Sequence, residues 1–234
     1  MNPETLATLR RVSTATLTTQ MFKRGFRNVF LQGVRGLASY GANMVGPATT
    51  VRNIPAREDL DVMASLANPE HPQRKAVETC KPGHVLVMDC RGDARVASGG
   101  DILMTRLLRR GAAGVVTDGG IRDAGPIGRM ALPVFCAGPS APLNIVQHHA
   151  VEIDTPIACG GVAVYPGDIM VGDSDGVVVL PAHLADEVAK DAAAQESLEE
   201  FILTRIDAGA PLPGTYPPNA ATLAEYEAWK KAKA

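Results

Sequence analysis

The chain has 234 residues, enough for one domain with a full apolar core; 46% of them are hydrophobic and only 4% aromatic, which favours packing by Val, Ile, Ala and Leu. Its 23 Lys and Arg against 25 Asp and Glu leave a formal charge of −2 with no basic stripe, which argues against an electrostatic nucleic-acid binder. No apolar run reaches membrane-spanning length, Cys80, Cys90, Cys136 and Cys159 form no C-x-x-C pair, and Met-Asn-Pro-Glu is unlike a secretory leader, so a reduced, cytoplasmic protein with no membrane partner is expected.

Residues 3–24 place Leu6, Leu9, Val12, Leu17 and Met21 at roughly helical spacing. The threonines at 14, 16, 18 and 19 weaken helix propensity there, which predicts one helix broken near Ser13, or two. Residues 33–50 read as extended segments around Gly41 and Gly46-Pro47, and residues 58–66 as a short helix ended by Asn68-Pro69-Glu70-His71-Pro72. A further helix is expected over 73–80, stopped by Lys81-Pro82-Gly83. Residues 84–89 then cluster apolar side chains as a buried strand does, leading into Cys90-Arg91-Gly92-Asp93; loops at strand ends are where sites tend to be built.

The stretch from Ser98 to Gly128 concentrates the chemistry. Ser98-Gly99-Gly100 is a glycine-rich turn running into a helix over 101–110, with Ile102, Leu103, Leu107 and Leu108 at helical spacing and Gly111 as its stop. Residues 112–117 read as a short buried strand and Asp118-Gly119-Gly120 as a turn, followed by Arg122-Asp123. A turn–helix–strand–turn unit returns the chain to the level at which the helix began. The free amides of the first helical turn, a guanidinium able to clamp a carboxylate, and the two carboxylates Asp101 and Asp123 are therefore expected at one rim of a sheet. Taken alone, an Arg-Asp pair is equally well read as a surface ion pair, and Asp101 as an ordinary acid at a helix start.

Downstream, Pro133–Cys136 is a strand and residues 157–180 a set of strands turned at Gly160-Gly161, Pro166-Gly167-Asp168 and Asp173-Ser174-Asp175-Gly176. Gly172-Asp173-Ser174-Asp175-Gly176 matches the G-x-S-x-G string, but strands on both sides make it a hairpin turn rather than a nucleophile elbow. His148-His149 is not a metal-ligand spacing on one helix face. Residues 185–206 form a long helix, Pro211–Pro218 a Pro-rich connector, and 222–233 a short terminal helix. With no linker before Ala210, residues 1–210 read as one domain and 211–234 as a tail too short for a core of its own.

Asp101, then Arg122-Asp123 behind a Gly-Gly turn, resembles the RraA-like family, which includes 4-hydroxy-4-methyl-2-oxoglutarate (and 4-carboxy-4-hydroxy-2-oxoadipate) aldolases and regulators of ribonuclease E activity. The likeness extends to Val12-Ser13-Thr14-Ala15-Thr16, Val45-Gly46-Pro47-Ala48, Gly114 to Gly120, Leu132-Pro133-Val134-Phe135, and Val164-Tyr165-Pro166-Gly167-Asp168 through Val179. Thr18-Thr19-Gln20 stands where many members carry an acidic sequence, so a carboxylate role there does not transfer.

The resemblance implies an α/β, swivelling β/β/α-type single domain with a C-terminal helical tail, assembled as a homotrimer or hexamer with sites between subunits. It implies a class II pyruvate aldolase using Mg²⁺ (or Mn²⁺), cleaving a 4-hydroxy-2-oxo acid and decarboxylating oxaloacetate through the same pyruvate enolate. Asp123 is implied as the metal ligand, Asp101 as the residue holding water on the metal, and Arg122 as the contact to the 2-oxo acid. Backbone amides at Gly100, Ile102 and Leu103, with Leu103 favoured, are implied to bind substrate. A late-helix glutamate of an adjacent subunit, Glu199 or else Glu196, is implied at the metal's water shell; by itself that helix face, with Glu200, reads as solvated. Arg91, Asp93 and Arg95 are candidates for the substrate's far end or plain surface charge. Two alternatives stay open: an aldolase for a sugar-derived 2-keto-3-deoxy acid, with the 91–96 loop and the tail reshaping the pocket, and a non-catalytic protein binding ribonuclease E.

Overall fold

The computed structural model describes residues 1–233. Three parallel strands, Val85–Asp89, Gly114–Thr117 and Val134–Cys136, lie side by side, and every residue in them is buried. Burial on both faces is why they read as continuous apolar runs instead of alternating ones. Val85, Val87, Val116 and Phe135 face one way, into a cluster with Met44, Met170, Val177 and Val179. Leu86, Met88, Val115, Val134 and Cys136 face the other, against Ala76, Val77, Met104 and Leu107 of the helices Pro72–Thr79 and Asp101–Arg109.

The long strand Met44–Pro55 joins the two halves of the sheet. It pairs in parallel with Val85–Asp89 through Ala48 to Arg52, and antiparallel with Ile169–Gly172 through Met44 to Pro47. Ile169–Gly172 and Val177–Leu180 form an antiparallel hairpin across the 173–176 turn, as expected for that string. Residues 29–37 then bridge the two outer edges. The Leu31 amide donates to the Val177 carbonyl (2.9 Å), while Arg35 and Gly36 pair with Cys136 and Phe135. The result is a nearly closed, barrel-like sheet whose interior is packed around Phe135, fully buried.

A second helical layer covers the hairpin side. Leu9, Leu17 and Met21 of the helices Pro3–Leu9 and Thr14–Lys23 pack with Val188, Ala189 and Ala192 of Ala185–Asp207 onto Val178 and Leu180. The first two helices are separate, because the Ser13 hydroxyl accepts from the Thr16 amide (3.0 Å) and caps the second. The terminal helix Ala220–Lys233 lies on the late helix through Tyr226, Trp229 and Phe201. No helix among the described residues is long and apolar enough to cross a membrane.

Two expectations change. Residues 58–66 are not a helix: turns lead into a 3-10 segment at Met63–Ala67 with no buried residue. Both oxygens of Asp61 are engaged outside any helix, one by the Arg57 amide and one by His149 Nδ1, each at 2.8 Å, while Val62 and Met63 face solvent. His148–Ile153, for which no strand was expected, pairs antiparallel with the far end of Met44–Pro55 across a bulge at Arg52/Asn53. Its two histidines and glutamate hide the apolar alternation.

All four cysteines are buried free thiols. Burial pushes the Cys90 thiol up to about 12 and raises the other three above their ordinary range. The native protein is therefore expected to leave a disulfide reagent such as dithionitrobenzoate unreacted at about pH 8, with all four thiols reacting after denaturation. Rapid titration of any thiol in the native state would show that the packed interior opens.

Candidate active site

Backbone pairing builds the site. The Gly120 amide donates to the Val96 carbonyl (3.1 Å), the Ser98 amide to the Gly120 carbonyl (2.7 Å), and the Arg122 amide to the Gly99 carbonyl (3.1 Å). The buried Ser98 hydroxyl reinforces the zipper, lying 2.8 Å from both the Gly120 carbonyl and the Thr117 hydroxyl. Arg122-Asp123 is thereby held beside the start of the Asp101–Arg109 helix. Asp118, two residues upstream of this zipper's middle, is spent on structure: its carboxylate accepts from the amides of Cys90 (2.6 Å), Gly92 (2.9 Å) and Gly160 (3.2 Å).

Asp123 has a left-handed backbone, φ 58°, a conformation that Asp tolerates better than most residues. That turn carries its side chain back to the helix start, where Oδ2 lies 3.4 Å from both the Asp101 amide and Arg122 Nε. Among the described residues Oδ1 accepts no hydrogen bond. Gly100 precedes the helix without a side-chain cap, so beyond the Asp101 amide those of Ile102 and Leu103 remain available to an anion. A Cβ at Gly100 would sit 2.7 Å from Asp123 Oδ2 and 2.9 Å from Arg122 Cγ. Glycine is what lets both side chains close over the turn.

These groups line one cleft of about 280 Å³. Gly100, Asp101, Ile102, Leu103, Arg122 and Asp123 form one side, as the spacing led one to expect. Ile102 is itself 79% exposed, whereas Leu103 packs partly into the core. The rest of the lining was not foreseen: it includes Leu66, Gln73, Arg74, Leu143 and Asn144. Gln73 shares the buried face of its helix with Ala76 and Val77, and a glutamine in such an apolar stripe was the available signal. Its Nε2 donates to the Ser98 carbonyl (2.5 Å) and ties that helix to the glycine turn.

Arg91, Asp93 and Arg95 do not line this cleft. Arg95 holds Asp93, keeping its carboxyl well below the usual range, and both arginines bond Gln147. Within one chain Glu199 is also elsewhere, in a groove with Ser13, Thr16 and Leu203, where it accepts from Gln195 Nε2 (2.9 Å). Glu196 accepts from the Ser13 amide (2.5 Å).

Two half-exposed carboxylates at one rim are hard oxygen donors and fit a small divalent cation that keeps most of its shell as water or substrate oxygen. Among the described residues no group of three His, Cys, Asp or Glu side chains gathers as a closed metal site.

The fold is that of a known class: the RraA-like family model, described as Aldolase/RraA, matches residues 14–179, and the chain belongs to that family. A protein of Halalkalibacterium halodurans named "Putative 4-hydroxy-4-methyl-2-oxoglutarate aldolase" is 34% identical over 157 residues, covering 67% of this chain and 69% of its own length. Among solved structures, Streptomyces coelicolor RraAS2, described as an unusual member of the RNase ES inhibitor RraA protein family, is 35% identical with a TM-score of 0.75 over 86% of this chain and 96% of its own. An uncharacterized protein from Pseudomonas syringae superimposes with a TM-score of 0.81 at 26% identity, over 94% of this chain and 95% of its own.

Because the Gly100 backbone is extended, Gly100→Ala is expected to fold with a melting temperature within a few degrees of wild type. The same substitution is expected to part Asp123 Oδ2 from the Asp101 amide and Arg122, which a crystal structure of the variant would read directly. Unchanged contacts in that structure would mean that the turn absorbs the methyl group.

Proposed function

We propose that this chain is a divalent-metal-dependent pyruvate aldolase that cleaves a 4-hydroxy-2-oxo acid such as 4-hydroxy-4-methyl-2-oxoglutarate and decarboxylates oxaloacetate. The observation that carries this reading is the convergence of Arg122, Asp123 and the uncapped helix start on one cleft. Names given to relatives, including the aldolase of H. halodurans, support it at the level of the reaction class.

Mg²⁺ (or Mn²⁺), held by Asp123, would supply Lewis-acid polarisation of the 2-keto group. Around it the chain's own groups do the positioning. The amides of Ile102 and Leu103 receive the carboxylate of the 2-oxo acid, and Arg122 lies where negative charge develops on the keto oxygen. Asp101 orients a water that takes the proton of the 4-hydroxyl. As that proton leaves, the C3–C4 electron pair passes into the keto group, giving pyruvate enolate and a second carbonyl product. Loss of CO₂ from oxaloacetate releases the same enolate.

Assembly as a homotrimer, or a pair of trimers, belongs to this proposal: Glu199 of one copy would complete the water-holding side of its neighbour's cleft. The competing, non-catalytic reading is a ribonuclease E regulator, favoured by the likeness to RraAS2. The carboxylate of Asp123 beside Arg122, turned toward the helix start, weighs for the enzyme.

Pyruvate release from 4-hydroxy-4-methyl-2-oxoglutarate and from oxaloacetate, coupled to lactate dehydrogenase and corrected for metal-only decarboxylation, is expected with Mg²⁺ or Mn²⁺ and not with EDTA. Asp123→Ala is expected to abolish it. Substantial turnover by that variant would remove Asp123 from the mechanism. Arg122→Lys is expected to cost on the order of a hundredfold in kcat, since a point charge does not reproduce the planar fork. Near wild-type turnover by the lysine variant would remove Arg122 from its place at the keto oxygen.

A further inference from the structure

The cleft that holds Arg122 and Asp123 also carries a cation with nothing to hold. Arg74 lines the cleft, its Nε is buried without a hydrogen-bond partner, and among the described residues no carboxylate pairs with its guanidinium. Arg122, which also lines this cleft, is by contrast engaged with Asp123. The nearby Asp61 carboxylate is already taken by His149 and the Arg57 amide. A half-buried guanidinium left in this condition lacks an anion, because its donors lose water without gaining acceptors.

Its helix is held in register. Arg74 follows Gln73, which is 4% exposed and anchored to the Ser98 carbonyl, so the cation's helix is registered against the same turn that positions Asp101. The neighbouring His71 ring is held below its ordinary pKa by burial first and by the charge of Arg74 second. At about 280 Å³ the cleft is at the small end for ligand sites, sized for a metabolite of a few carbons.

We propose that Arg74 binds a second carboxylate on the substrate, borne on C4, and so selects dicarboxylic 2-oxo acids over monocarboxylic and sugar-derived ones. The proposal rests on the pyruvate-site reading above, in which Arg122 and the helix start, in the same cleft, take the carboxylate and keto oxygens at C1 and C2. Neutral hydroxyls do not saturate a guanidinium as a carboxylate does, so the same residue works against a polyhydroxylated chain.

The test is calorimetric titration of wild type, Arg74→Met and Arg74→Lys with pyruvate and with 2-oxoglutarate, Mg²⁺ present throughout. The two ligands share one head and differ by the distal carboxylate. In wild type 2-oxoglutarate is expected to bind more tightly than pyruvate. That preference is expected to fall about tenfold or more in Arg74→Met and to be partly kept in Arg74→Lys. A preference unchanged in Arg74→Met, including equal weakening of both ligands, overturns the assignment; melting curves of the variants exclude misfolding as the cause. Failure of wild type to bind either keto acid overturns the pyruvate-site reading instead, and this inference with it.

Discussion

The parallel pairing of residues 96–99 with 120–122 is the constraint on which the site depends. Three backbone hydrogen bonds and the Ser98 hydroxyl set the offset between the glycine turn and Arg122. A slip of one residue would turn Arg122 away from the cleft and carry Asp123 past the helix start. The pairing is possible only because the strands Val85–Asp89 and Gly114–Thr117 end level with each other, Met88 opposite Thr117. That level is set in turn by the filling of the barrel around Phe135 and of the outer layer around Met104 and Leu107. The chemistry at the rim thus inherits its precision from apolar packing several residues below it.

Much of this was legible in the sequence, and for identifiable reasons. Strands buried on both faces announce themselves as apolar runs, and Gly111, at φ 77°, ends its helix in the way a glycine at that place predicts. The Gly-Gly turn and Arg122-Asp123 were legible because their positions follow from counting through one helix and one strand. What escaped was formed by distant segments. Arg74 and Asn144 reach the cleft by the path of the chain in space, and nothing in their local sequence marks them. The 58–66 segment misled for the complementary reason: its apolar spacing is helical, but Val62 and Met63 find no surface to bury against, and Asp61 is drawn to His149.

The two sides of the cleft are built from different materials. Apart from the Arg122 side chain itself, the Arg122 side consists of backbone amides, a glycine and short carboxylates at a helix start and a turn braced by the sheet, so most of its geometry is set by the backbone. The Arg74 side consists of side chains on a helix and two loops. Under the proposed reaction a carboxylate–keto head calls for the first kind of surface, because the donors must stand about 3 Å from the oxygen on which charge develops. Recognition of a variable distal group needs only the second.

On the proposed reading, this division lets a substitution on the helix alter substrate choice without touching the reacting atoms. The Gln73 anchor holds the start of the helix Pro72–Thr79 to the Ser98 carbonyl, while residue 74 contributes its side chain to the wall. Exchanging the residue at 74 changes the charge met by the far end of a ligand and leaves the zipper, Gly100 and Asp123 as they are. The proposal thus assigns the reaction to the turns and the selection to the helix, and the two meet at a single hydrogen bond from Gln73.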